Sequence, residues 1–306
     1  MPNIWTHILF CEEVLEGLEN SAQFTNEWKN YLNLGAQGPD PFFYHNFLPW
    51  KKDTRVNLVG EYLHKEQCGP FLMDLIKDGM KLSTNSKAYI LGFVTHHILD
   101  RNTHPYIHYH AGYENNNHQR LEVIIDTIMM KETRNVNTWK VPVYKEINIG
   151  PRLDEEINSL LEKSIEKYYG NKLTNLPEQY IQASYSQMKS ALRILFDPYK
   201  WKNTLFATLV SAFSHQPLKD EKDYLNEEKR TWRHPATNEP QNDTFLSLYE
   251  QAKKEGIEVI QAVLSYWKNP NEANEKHLKT LIDNISYDTG KPVSENLEVR
   301  YAEPIV

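Results

Sequence analysis

Cysteine is almost missing from this chain: its 306 residues include only Cys11 and Cys68. Two isolated cysteines offer neither a disulfide framework nor the paired spacing of a thiolate zinc site. An excess of positive charge is missing too. At a net charge of −7, the chain lacks the basic footprint of a general nucleic-acid binder, although that total leaves room for a local basic pocket. No stretch approaches the ~18 consecutive apolar residues of a membrane span. The opening residues, Met-Pro-Asn-Ile-Trp-Thr-His, carry neither the basic n-region nor the apolar h-region of a secretory signal. These absences lead to the expectation of a soluble, cytoplasmic protein without a transmembrane segment. Internal repeats, low-complexity tracts and strand-like alternation long enough for a sheet are also absent.

What is present is a core and a helical period. Apolar residues make up 40% of the chain and aromatics 12%, enough to fold around a packed interior. Apolar spacing predicts helices at about 3–18 (with Asn3 as N-cap), 23–34, 55–65 and 71–80. A further helix is capped by Ser83 or Thr84 and climbs through His96 and Asp100 to end near Pro105, leaving 105–115 as a loop. The helix holding His118 and Glu122 follows, capped by one of Asn115 to Asn117. Residues 35–41 hold two glycines and two prolines and read as a loop presenting Asp40. The stretch 136–150 is the best candidate for short extended structure. Later helices are expected at about 153–169, 177–194, 200–214, 243–267 and 271–285, with 215–242 a long connection and an irregular tail beyond Tyr287. The fold expected is all-α, a single helical domain over 1–306. Residues 1–130 carry the motifs, and 150–306 supply further helices.

Nine of the twelve histidines precede residue 119. His96-x3-Asp100-x3-His104 is a double i, i+4 step, and His118-x3-Glu122 repeats the step on the next helix, so each set shares roughly one helix face. Imidazole and carboxylate pairs at this spacing hold metal without cysteine. With His7, Asp40 and His64 they make eight candidate ligands. One catalytic zinc takes about three protein ligands, so eight suit two or three ions. Zinc fits this donor set first, with manganese or iron as the other metals it accepts. His97 points about 100° away from His96 on a helix and reads as packing or support. His45, His108 and His110 read as loop residues, with His108 a reserve ligand. Asp126 either orients a ligand histidine or is solvated. Phe42, Phe43 and Tyr44 either line a pocket or pack the core. His215, His234 and His277 read as ordinary polar residues.

The order His7, Gly38-Pro39-Asp40, His64, Gly92-Phe93-Val94-Thr95-His96-His97-Ile98-Leu99-Asp100 and His118-Gln119-Arg120-Leu121-Glu122 resembles the bacterial zinc-dependent phospholipase C family. That family includes secreted phospholipases C and alpha-toxins, with P1-type nucleases as relatives. The resemblance covers residues 1 to about 130. It implies a phospholipase C/P1 nuclease-like multi-helical domain with a zinc cleft. In that cleft His64, His96, Asp100 and Asp40 would hold one zinc. A histidine after Asp100, with His118 and Glu122, would hold a second, and Asp100 would bridge toward a third ion at His7. Asp40 would also be the catalytic base, and the metals would activate water against a phosphodiester. Secreted members complete the third site with an N-terminal tryptophan. Here Trp5 is internal, so the expectation is two zinc ions with a third site open. The secreted members place the middle histidine six residues after the aspartate, where this chain has Tyr106; His104 takes its place, with His108 as the alternative. The function expected is hydrolysis of a small phosphodiester or phospholipid-type substrate. The alternatives are a single-strand nuclease-like phosphodiesterase, which the charge disfavours, and a non-catalytic metal-binding protein.

Overall fold

The computed structural model describes residues 3–18 and 28–306. Among them are the helices α1 (Ile4–Glu16), α2 (Lys29–Gly35), α3 (Asn57–Lys65), α4 (Cys68–Gly79), α5 (Thr84–Ala111), α6 (Asn117–Arg134), α7 (Glu155–Tyr169), α8 (Tyr180–Leu195), α9 (Trp201–Leu205), α10 (Ala207–Val210), α11 (Phe245–Lys268) and α12 (Glu272–Ile282). The fold is all-α. Its one sheet among the described residues is an antiparallel pairing of Trp232–Arg233 with Pro240–Gln241.

The molecule is built around α5. Ser83 starts it, with its Oγ accepting the Ser86 amide at 3.3 Å. From Ala88 to Asp100 every side chain is buried, as befits a helix enclosed on all sides. Helices α1, α2, α6 and α11 pack against it. One contiguous apolar cluster joins Leu9 of α1 and Ile98 of α5 to Ile157 of α7, Tyr185 of α8 and Val263 of α11. The helices beyond residue 150 therefore complete the core that the first half begins. Each fully buried Leu or Ile side chain contributes ~1.5–3 kcal/mol. A core of this extent offsets the cost of holding ionisable side chains inside it, which reaches several kcal/mol for each charge.

Three sequence expectations need correction. Helix α5 does not stop at Pro105 but runs through it to Ala111. Proline removes the amide that would bond the Arg101 carbonyl, and the backbone of Gly290 closes on that carbonyl instead. A Cβ on Gly290 would lie 2.2 Å from the Arg101 oxygen. Residues 136–150 form two 3-10 turns, Thr138–Lys140 and Val143–Lys145, and no strand, because no partner edge lies alongside. The helix expected at 200–214 is two short ones, α9 and α10, separated at Phe206. The tail beyond Tyr287 has little regular structure, as expected, and it is tied down: Glu303 donates its amide to the Tyr109 carbonyl and Ile305 to that of His110. Of the helix expected at 23–34, the first residues lie outside the described ones. Both cysteines are buried and unpaired.

Candidate metal centre

Because α5 continues past Pro105, four ligand-type residues follow one another at i, i+4 spacing: His96, Asp100, His104 and His108. Each such step turns ~40° about the axis, so the row spirals. His96 and Asp100 face α1, α3 and the Asp40 turn. His104 and His108 face α6 and the loop after α12. The long helix thus serves two neighbouring sites, whose His64 and His104 rings lie 6.4 Å apart.

In the first, His64 Nε2 lies 3.6 Å from Asp40 Oδ1 and 3.8 Å from Asp100 Oδ2. His96 Nε2 lies 3.7 Å and 3.1 Å from the same two oxygens. Two donors ~2.1 Å from a tetrahedral zinc sit about 3.4 Å from each other. Four of the six edges of such a tetrahedron therefore have suitable lengths. The other Asp100 oxygen, Oδ1, lies 3.4 Å from His7 Nε2, and the His7 and His96 rings stack at 4.1 Å. Asp100 therefore faces two donor groups, His7–His96–Asp100 and Asp40–His64–His96. Among the described residues, Asp40 Oδ1, His96 Nε2 and both Asp100 oxygens are buried without a hydrogen bond. A divalent cation would satisfy such convergent lone pairs.

The second site holds His104, His108 and His118. His104 Nε2 is 3.1 Å from His118 Nε2, which is 2.7 Å from Glu122 Oε1. All eight residues singled out in the sequence thus lie in the two sites. His108 joins them as a helical residue rather than a loop reserve.

The local fold orients the imidazoles. His64 Nδ1 donates to the Gly60 carbonyl at 2.7 Å, and His96 Nδ1 to the Ala36 carbonyl at 2.9 Å. A carbonyl can only accept, so each ring keeps its proton on Nδ1 and turns a bare Nε2 inward, the form that binds metal. Gly38, at φ +48°, lets the Asp40 turn lie flat against His96; a Cβ there would fall 2.4 Å from the ring.

Burial lowers His7 and His64 to about 4, His104 to about 3 and His118 well below its ordinary value, leaving neutral ligands. For His96 burial works in the same direction, but the Asp100 and Asp40 carboxylates outweigh it and raise the ring. Burial pushes Asp40 up to about 7 and Glu122 well above its ordinary value. Asp100 stays well below the usual carboxylate range because His96 and His7 outweigh its burial.

Several residues differ from their sequence reading. Asp126 is neither solvated nor attached to one of the eight. It accepts the Trp5 and Thr6 amides at 3.0 and 2.8 Å, binding the exposed donors of α1's first turn and so anchoring His7. It also accepts from Thr6 Oγ1 at 2.6 Å and pairs with His215 Nε2 at 3.0 Å, so His215 is more than an ordinary polar residue. His97 donates from Nε2 to the Ile285 carbonyl at 2.9 Å, away from the cluster, as its angle to His96 requires. Phe42 is buried against Tyr180, while Phe43 and Tyr44 line the cleft. Asp288 was missed altogether: its Oδ1 lies 3.3 Å from His104 Nδ1 and 3.7 Å from His108 Nε2. It follows no ligand spacing, and only the folded chain brings it there.

The cluster forms the floor of a cleft of about 950 Å³. Asp40, His64, His104, His108, His118 and Glu122 line it, and above them stand apolar side chains from 47–50, α8 and α10. Trp50 is 70% exposed, Ile194 49% and Leu209 57%, so the rim offers apolar surface to the outside. No helix among the described residues is long and apolar enough to cross a membrane.

No curated protein and no solved structure matches the chain. The family model for zinc-dependent phospholipase C matches residues 6–191, well over half of it, taking in His7 through Glu122 and α7 to α8. With its all-helical fold and its buried groups able to hold metal, the chain belongs to the zinc-dependent phospholipase C family.

Proposed function

We propose that this protein is a zinc-dependent phosphodiesterase acting on a phospholipid-type substrate. One observation carries the reading: overlapping histidine–carboxylate groups form the floor of a cleft with apolar walls and an exposed apolar rim. In this reading Asp40, His64, His96 and Asp100 would hold one zinc. His104, His118 and Glu122, with His108 beside them, would hold a second, and His7 with Asp100 would offer donors for a third. Bound zinc supplies Lewis acidity, making water a better nucleophile and neutralising charge on the phosphoryl oxygens. Asp40 both faces the cluster and lines the cleft. From that position its carboxylate would be placed to take the proton of the attacking water. The apolar wall would accommodate acyl or diacylglycerol surface, with Phe43 and Tyr44 among the residues that line the cleft.

A nuclease needs a cationic track for the nucleic-acid backbone. Among the described residues the cleft is lined by one lysine, Lys65, and no arginine, which favours the lipid-type substrate. The zinc-loaded protein should hydrolyse para-nitrophenyl phosphorylcholine and dispersed phosphatidylcholine but not single-stranded DNA. Replacing Trp50 and Leu209 together by Ala should lower the lipid rate ~10-fold, from the loss of partial burial of two apolar side chains, and spare the small diester. Zinc-loaded protein inert toward every phosphodiester would overturn the reading.

A further inference from the structure

We propose that Asp288, far outside the matched segment, is the positioning residue that orients His104 toward metal. The inference rests on the metal-centre reading above. Two of the inward-facing histidines fix their Nδ1 proton on a backbone carbonyl: His64 on Gly60 and His96 on Ala36. His104 Nδ1 faces a carboxylate, Asp288 Oδ1, at 3.3 Å, while its Nε2 faces His118 Nε2 at 3.1 Å. A carboxylate on Nδ1 selects the tautomer with a bare Nε2, holds the ring plane and makes the imidazole a stronger donor. The same oxygen lies 3.7 Å from His108 Nε2, too far for a hydrogen bond, so its closer partner is His104.

The loop carrying Asp288 is built to hold that position. The Tyr287 amide donates to the His64 carbonyl at 3.0 Å, and Ser286 Oγ donates to the same oxygen. His97 Nε2 donates to the Ile285 carbonyl and His234 Nε2 to that of Thr289. Arg101 reaches the Leu281 and Ile282 carbonyls at the end of α12, just before the loop. The Tyr287 ring is fully buried, 4.9 Å from the His64 ring and 4.4 Å from that of His97. The loop is thus clamped to α3 and α5 just before Asp288 and to His234 just after it. This gives the last helices a role in the metal centre as well as in the core.

The test is zinc competition against a chromophoric chelator, with cobalt absorption spectra as a second readout, on the full chain and on Asp288→Ala and Asp288→Asn. Loss of such a supporting carboxylate costs ~10–100-fold in metal affinity. Asp288→Ala should weaken one zinc by that factor and shift its cobalt spectrum, leaving the other zinc unchanged. Asp288→Asn keeps an oxygen for the Nδ1 proton and should recover most of the loss. With His104→Ala in the background, Asp288→Ala should have no further effect, because the two act as a unit. Melting of the chelator-treated variants checks that they fold. Wild-type zinc affinity in Asp288→Ala would overturn the proposal. So would an equal loss in both variants, which would make Asp288 a direct ligand. A wild-type chain that binds no zinc would overturn the metal-centre reading itself.

Discussion

Asp100→Asn should strip the first site of metal and leave the second intact. Asparagine keeps the size of the side chain, so packing in the fully buried position is preserved. It removes the charge that faces His7, His64 and His96 at 3.4, 3.8 and 3.1 Å. A structural zinc site binds with ~10–16 kcal/mol; shared over four ligands, one ligand carries ~2.5–4 kcal/mol, or roughly 10²–10³-fold in affinity. Asp100 faces both donor groups of the first site, so both should weaken by that factor. His104, His118 and Glu122 belong to the neighbouring group and should retain their zinc. The variant should still fold. The change takes one buried carboxylate away and, with it, the larger of the two carboxylate influences that raise His96, so it adds no unpaired charge to the core. The assay is zinc content by mass spectrometry after dialysis against a chelator of graded strength, with activity measured alongside. Full zinc content at wild-type affinity in a folded Asp100→Asn would refute the assignment of Asp100 as the shared ligand.

Gly38→Ala tests the cradle rather than the ligands. A side chain at φ +48° costs ~1–2 kcal/mol, and its Cβ would meet the His96 ring. The variant should melt at lower temperature and bind first-site zinc at least ~10-fold more weakly, by the scale of a lost supporting contact; wild-type zinc binding would show that His96 is not held this way. Zinc binding should also depend on pH with a definite sign. Asp40 at about 7, Glu122 raised and His96 raised must all shed protons to ligate, so affinity should fall as pH drops through 7, and calorimetry in buffers of different ionisation enthalpy should detect proton release. An affinity flat between pH 8 and 6 would count against these groups as ligands.

Much of this was legible in the sequence, for local reasons. His96-Asp100-His104 and His118-Glu122 lie on single helices, where spacing alone fixes the shared face. The all-helical fold followed from the same period. What escaped was non-local or depended on compensation. The passage of α5 through Pro105 is matched by Gly290, nearly two hundred residues on, and no local rule contains that contact. Placing 105–115 in a loop hid His108 from the helical row. Asp126 read as exposed or orienting because its partners, the first-turn amides of α1, carry no side-chain signature. Asp288 reaches His104 through a loop whose hydrogen bonds link α3, α5 and the segment around His234.

Zinc-edge anomalous scattering from crystals of the purified protein tests the central claim most directly. The expected result is zinc density among Asp40, His64, His96 and Asp100 and among His104, His118 and Glu122, with any third peak between His7 and Asp100. Less than half an equivalent of zinc per chain, with no density at either cluster after zinc is added, would contradict it.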